Sequence, residues 1–212
     1  MNALASRGRF NLQLNVDYVL RDRDGNEKMM FAENKFGKFL LQSIRKFVPT
    51  PIGEDGQVKA GLLNYLSAYG IRISFLTGRY SSRIRRSNLI TTAGKAGVAS
   101  RINGSGGEAV FTYIAVGTGA TAANVADTTL QTELAVSGLS RANATASRTT
   151  TDTTNDTARL QNTFTVSGTA AVTESGVLNA ASVGTLLARQ VFSAINVVNG
   201  DSLQITWDVD VD

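Results

Sequence analysis

Between Phe10 and Leu20 the chain alternates, with Phe10, Leu12, Leu14, Val16, Tyr18 and Leu20 on one side and Asn11, Gln13, Asn15 and Asp17 on the other. A period of two marks a strand with one buried face. The stretch RDRDGNE (21–27) interrupts it, and Asp24-Gly25 is a turn pair because glycine, and less readily aspartate, tolerates positive φ. Glu27 to Phe31 is therefore expected to return as a hairpin partner. From Glu33 the period lengthens. Phe36, Phe39, Leu40, Ile44 and Phe47 fall at helical spacing until Pro49 and Pro51 stop the run. A second short helix is predicted over 58–69, with Leu62, Leu63, Leu66 and Tyr69 on one side and Gly70 as its C-terminal cap.

Beyond Gly70 the texture becomes that of strands. IRISFL (71–76) alternates and YSSRIRR (80–86) reads as a returning strand. SNLITTAGKAGVASRI (87–102) has the pattern of a short capped helix weakened by Gly94 and Gly97. Strand candidates follow at 110–116, within 135–147, and at 159–167, 170–178, 186–193 and 202–211, separated by Gly, Asn, Asp and Ser. Short strands at this spacing, with no long helix between them, predict an antiparallel sandwich or barrel. The threonine-rich 145–157 is expected to be an exposed loop or the tip of a long hairpin. The expected whole is mainly β, α+β overall. Residues 70–212 would form an antiparallel β-sandwich, and residues 1–69 a separate attachment module of one hairpin and two helices.

Composition narrows the chemistry. Cysteine and histidine are both absent. Disulfides, thiolate or imidazole metal sites, cysteine nucleophiles and Ser-His-Asp arrangements are thereby excluded. No window approaches the roughly 18 apolar residues of a membrane span, and Arg7 and Arg9 precede any apolar stretch that a secretion signal would need, so the chain reads as soluble and unexported, with no membrane partner.

Several short patterns invite a site and are better explained by structure. GTGATAAN (117–124) could let backbone N–H groups approach an anion, but lacks the lysine and spacing of a phosphate loop. Asp22-Arg23-Asp24-Gly25 opens like a calcium loop without its remaining ligands. Asp208, Asp210 and Asp212 on a terminal strand read as edge protection by like charge. Nothing in the spacing of Glu108, Glu133 and Glu174 selects a glycosidase pair. No catalytic, cofactor-binding or metal-ligating residue is nominated, and no cofactor is expected.

Charge is laid down unevenly: residues 1–69 carry +3, residues 70–102 carry +7 with no acidic residue, and residues 103–212 carry −6. Arg79, Arg83, Arg85 and Arg86 form the densest basic run and are the candidate partner-interface residues. Arginine suits protein interfaces as well as phosphates, and Tyr80 alone is a thin stacking platform, so an acidic protein surface is favoured over nucleic acid.

Three longer strings carry a resemblance. SNLITTAGKAGVASRI (87–102), FTYIAVGTGATAANVADTTLQTEL (111–134) and AVTESGVLNAASVGTLLARQVFSAINVVNGDSLQITWDVDV (171–211) together resemble a group of tailed-bacteriophage virion proteins, over about two thirds of the chain. Members of that group are labelled tail-fibre-like or head decoration proteins. The resemblance implies a non-enzymatic virion structural protein, assembled in the host cytoplasm and attached to other virion proteins. A fibre shaft would show heptads or a short β repeat, and no such period is visible here. The expectation is a capsid decoration or cement protein, binding the major capsid protein as a homo-oligomer, most simply a trimer. A tail, neck, baseplate or fibre-adaptor component is the alternative, with a nucleic-acid-binding protein more remote.

Overall fold

The computed structural model describes residues 12–33 and 78–211. Twelve strands and one helix run in the order β1 (Leu12–Arg21), β2 (Met30–Glu33), β3 (Gly78–Ser81), β4 (Arg83–Ser87), β5 (Leu89–Ile90), α1 (Thr92–Asn103), β6 (Tyr113–Gly117), β7 (Ala142–Asn143), β8 (Thr145–Thr149), β9 (Thr157–Thr165), β10 (Ala170–Leu178), β11 (Leu186–Val197) and β12 (Ser202–Val211). One five-stranded sheet has the order β4-β1-β12-β9-β8 and the other β5-β11-β10-β6-β7, and every pairing is antiparallel. The architecture is an antiparallel β-sandwich, as the strand spacing predicts. The helices expected at 36–47 and 58–69 and the strand at 71–76 lie outside the described residues.

The alternation of each long strand explains its place. Leu14, Val16, Tyr18 and Leu20 of β1 and Leu203, Ile205, Trp207 and Val209 of β12 turn one face into a common core. Trp207 is fully buried, and its indole Nε1 donates to Ser175 Oγ of β10 at 3.2 Å, which ties the two sheets together. Tyr18 tilts against Phe192 of β11 with ring centroids 4.3 Å apart. Burying each such side chain contributes about 1.5–3 kcal/mol. The edges of the sandwich are stitched by the chain itself. It passes from one sheet to the other at Asn88, between β4 and β5, and at Ala144, between β7 and β8.

Three placements differ from the expectations. β1 does not belong to a separate module: it is an interior strand, paired with β12 from Leu12↔Val211 to Arg21↔Ser202 and with β4 on its other side. Its apolar face is too large for a lone hairpin to cover, and the opposite sheet covers it. The hairpin after β1 begins as expected, with Gly25 at φ 86° and Lys28 N–H donating to Leu20 O. It then opens, and β2 pairs with β3 instead. Finally, β12 is no edge strand. Asp208 and Asp210 are buried there, Asp208 beside arginines and Asp210 accepting from Thr157 Oγ1, so they do not guard an edge; Asp212 lies outside the described residues.

A second, smaller core lies on the far side of the β5–β7 sheet. Residues 118–134 cross that face as a strap, and Leu130 packs with Ala115, Leu178 and Leu186. Gly117 lets the strap come close, since a Cβ there would stand 2.4 Å from Thr132 O. Helix α1 covers β11 beside it. Thr91 Oγ1 accepts from Gly94 N–H and donates to Leu186 O, capping the helix and fastening it to the sheet at once. Among the described residues no helix is long and apolar enough to cross a membrane.

Candidate partner interface

β4 is an edge strand, and its pairing with β1 places Arg83 opposite Val19, Arg85 opposite Asp17 and Arg86 opposite Val16. Ile84 is buried and anchors the strand, so Arg83 and Arg85 project from the other face. Arg79 lies on β3 opposite Ala32. Arg83, Arg85 and Arg86 converge with Arg159 of β9, Ser81 and Asp17 on a recess of about 580 Å³.

Two carboxylates partly neutralise this basic group. Arg85 Nε stands 3.2 Å from Asp17 Oδ1, and its Nη2 lies 3.6 Å from Asp208 Oδ2. Arg159 grips Asp208 with both arms of its guanidinium, at 2.7 and 2.9 Å. That bond holds the Arg159 guanidinium even more firmly protonated than usual. Burial pushes the Asp17 carboxyl above its ordinary value, outweighing the opposite pull of Arg85 and Arg83. Its Oδ1 has no hydrogen-bond partner. Arg83 and Arg86 form no ion pair among the described residues. The recess therefore offers cationic groups that the fold leaves unmatched, on an exposed sheet edge. Arginine forks in such a place suit carboxylates of an acidic surface or phosphates.

The basic and acidic parts of the sequence are not separate bodies. β4, from the +7 segment, shares a sheet with β12, from the acidic segment, and the charges interleave across it. Sequence reasoning found three arginines of the recess by their density and missed Asp17, Arg159 and Asp208. Register alone brings those together, and a single sequence carries no local mark of it.

The remaining candidates are engaged elsewhere. The GTGATAAN segment does aim a backbone N–H at an anion, and that anion is the protein's own Glu174. The fully buried Glu174 carboxylate accepts from Gly119 N–H at 3.0 Å, Gln131 N–H at 3.0 Å, Thr132 N–H at 2.7 Å and Arg189 Nε at 2.7 Å. Burial pushes its carboxyl upward, but the bonds from Thr132, Arg189 and Gln131 outweigh it and hold it below the ordinary range. Arg189 reaches on to Asp127 and to Thr121 O, so a buried ion pair nails the strap to the sheet. Glu133 pairs with Arg141, and Glu108 accepts from Asn179 and Thr185. Among the described residues no three acidic groups gather as a metal site. Fold and recess together define an antiparallel β-sandwich with a basic edge. No family model, no curated protein sequence and no solved structure matches the chain.

Proposed function

We propose that this is a non-enzymatic structural protein of a tailed-phage virion, a decoration protein that sits on the major capsid protein as a trimer. The observation that carries the docking part of this reading is the β4 edge, where Arg83 and Arg86 stand unmatched beside Arg85 and Arg159 in an open recess. The buried charges of the fold are consumed in holding loops to sheets: Glu174 with Arg189 under the strap, and Lys28 with Asp201 at 2.8 Å. The β4 group clusters unpaired cations on one sheet edge, and an acidic patch on a capsid subunit has the chemistry to meet them. The virion part rests on the sequence resemblance. Purified particles carrying this chain should contain it in near-equal number to the capsid protein. A few copies per particle would overturn the capsid placement.

A further inference from the structure

In the β4 recess most guanidinium donors are unengaged. Among the described residues Arg83 and Arg85 donate no side-chain hydrogen bond, and Arg86 donates to Arg85 O at 3.5 Å. Arg85 stands 3.2 Å from Asp17 and 3.6 Å from Asp208 as a charge, with a hydrogen bond to neither. Arg159 shows what a carboxylate does when it meets an arginine fork on this face, since Asp208 takes both of its arms at 2.7 and 2.9 Å. The Arg85 side chain is 60% exposed, so its fork can be reached from solvent. Asp17 is the one carboxylate among the residues that line the recess. Its side chain is 19% exposed, so water can deliver a proton to it although Oδ1 itself is shut away.

We propose, resting on the docking role of this recess, that it takes a carboxylate side chain of an acidic partner protein by exchange: the incoming carboxylate occupies the Arg85 fork, and Asp17, released from it, takes up a proton from water. Among the described residues the charged groups that face Asp17 are Arg83 and Arg85 from β4, Asp208 from β12 and Arg159 from β9. Burial already disfavours its charged form, and the arginines only partly offset that. A newcomer on Arg85 withdraws one of those arginines and adds a like charge, and both changes favour the neutral acid. Proton uptake on binding makes affinity rise as the pH falls. The recess is thus a docking site that mild acid tightens. A carboxylate suits it better than a run of phosphates, because Asp208 stays charged in the grip of Arg159 and opposes a closely spaced row of negative groups.

The probe is a rhodamine-labelled peptide that alternates Asp and Gly, titrated onto the full chain and onto Asp17→Asn by fluorescence anisotropy at low salt. The range runs from about pH 7.5 to about pH 5.5, above the titration of the probe's own carboxyls. The unaltered chain is expected to bind about three- to tenfold more tightly at the lower pH, and Asp17→Asn to bind more tightly than it at neutral pH with little dependence on pH. Carbon-13 NMR of the Asp17 carboxyl gives a second readout that needs no variant, and its titration midpoint should lie higher with the probe bound than without. An unmoved midpoint, or equal pH dependence in the chain and a folded Asp17→Asn, overturns the exchange while leaving the recess a docking site. Probe binding that survives the change of Arg83, Arg85 and Arg86 to Ala overturns the exchange and the docking role together. Duplex DNA bound more tightly than the probe at physiological salt assigns the recess to phosphates and overturns the exchange.

Discussion

Glu174 is a buried residue on which three backbone N–H groups converge. It faces away from the main core, yet it is completely buried because the strap closes over it, and three strap N–H groups and Arg189 satisfy its oxygens. Glu174→Gln would remove the fully buried counter-charge of Arg189, itself 2% exposed, and leave it the partly exposed Asp127 alone. Breaking one side of such a pair costs about 3–5 kcal/mol. Denaturant unfolding should show that loss, and hydrogen exchange should show Gly119, Gln131 and Thr132 amides opening first. The native carboxyl lies below its ordinary value, so its contribution is complete above about pH 4.3 and shrinks as the pH falls below that through the depressed native value. Protection of the three amides is therefore expected to be flat from neutral pH to about pH 5 and to fall in stronger acid. Protection lost already near pH 6 would contradict the assignment. None of this was legible beforehand: 117–124 lacked the lysine and spacing of a phosphate loop and read as a turn, and the anion that its backbone meets comes from 55 residues further on.

At the scale of elements, β10 and β12 occupy the spans their sequence patterns mark, 170–178 and 202–211. Alternation reports a buried face. It does not report what buries it, and so β1 was readable as a strand and unreadable as an interior strand of the sandwich. The strap was invisible for the same reason, being polar and irregular with Leu130 as its buried apolar anchor. Helix α1 reverses a propensity argument. Gly94 and Gly97 weaken it as a helix, yet both are buried, and a Cβ on Gly94 would stand 2.2 Å from Leu187 O. Gly94→Ala should destabilise by about 1–3 kcal/mol, although alanine favours the helix by about 1 kcal/mol. At Gly97 the obstacle is the tip of the Phe111 ring at 2.6 Å, a side chain that can turn aside. Gly97→Ala should therefore cost clearly less, and thermal melts of the two variants give the order. The β8–β9 tip offers a parallel test. Asp156 accepts from the Thr151, Asp152 and Thr153 N–H groups, which hold its carboxyl well below the usual range, so Asp156→Asn should speed proteolytic nicking at 150–156.

Over the whole molecule, the question is what a chain of net charge +4 does with its charges once folded. The recess at β4 joins positions far apart in sequence, and its arginines are opposed by Asp17 and Asp208, not set on a lobe of their own. Asp17 is the informative member. Its native carboxyl is raised, so ionising it penalises the fold as pH rises past the ordinary carboxylate value toward the native one, and neutral pH carries the full penalty. Asp17→Asn should leave stability at pH 7 unchanged or improved. It also removes the negative charge beside Arg83 and Arg85, and so should tighten binding of an acidic partner. The opposite change, Arg83, Arg85 and Arg86 together to Ala, should weaken it. Each exposed pair contributes only about 0.2–1 kcal/mol, and salt screens it, so the change should act mainly on association rate and orientation. Both variants are to be measured against capsid particles stripped of this protein and against duplex DNA over a salt series. Particle binding that strengthens with Asp17→Asn and weakens with the triple change, with negligible DNA affinity at physiological salt, is the expected result. Tight DNA binding that disappears with the three arginines, with particle binding untouched, would assign the recess to phosphates instead, since several neutralised phosphates give a steep fall of affinity with salt.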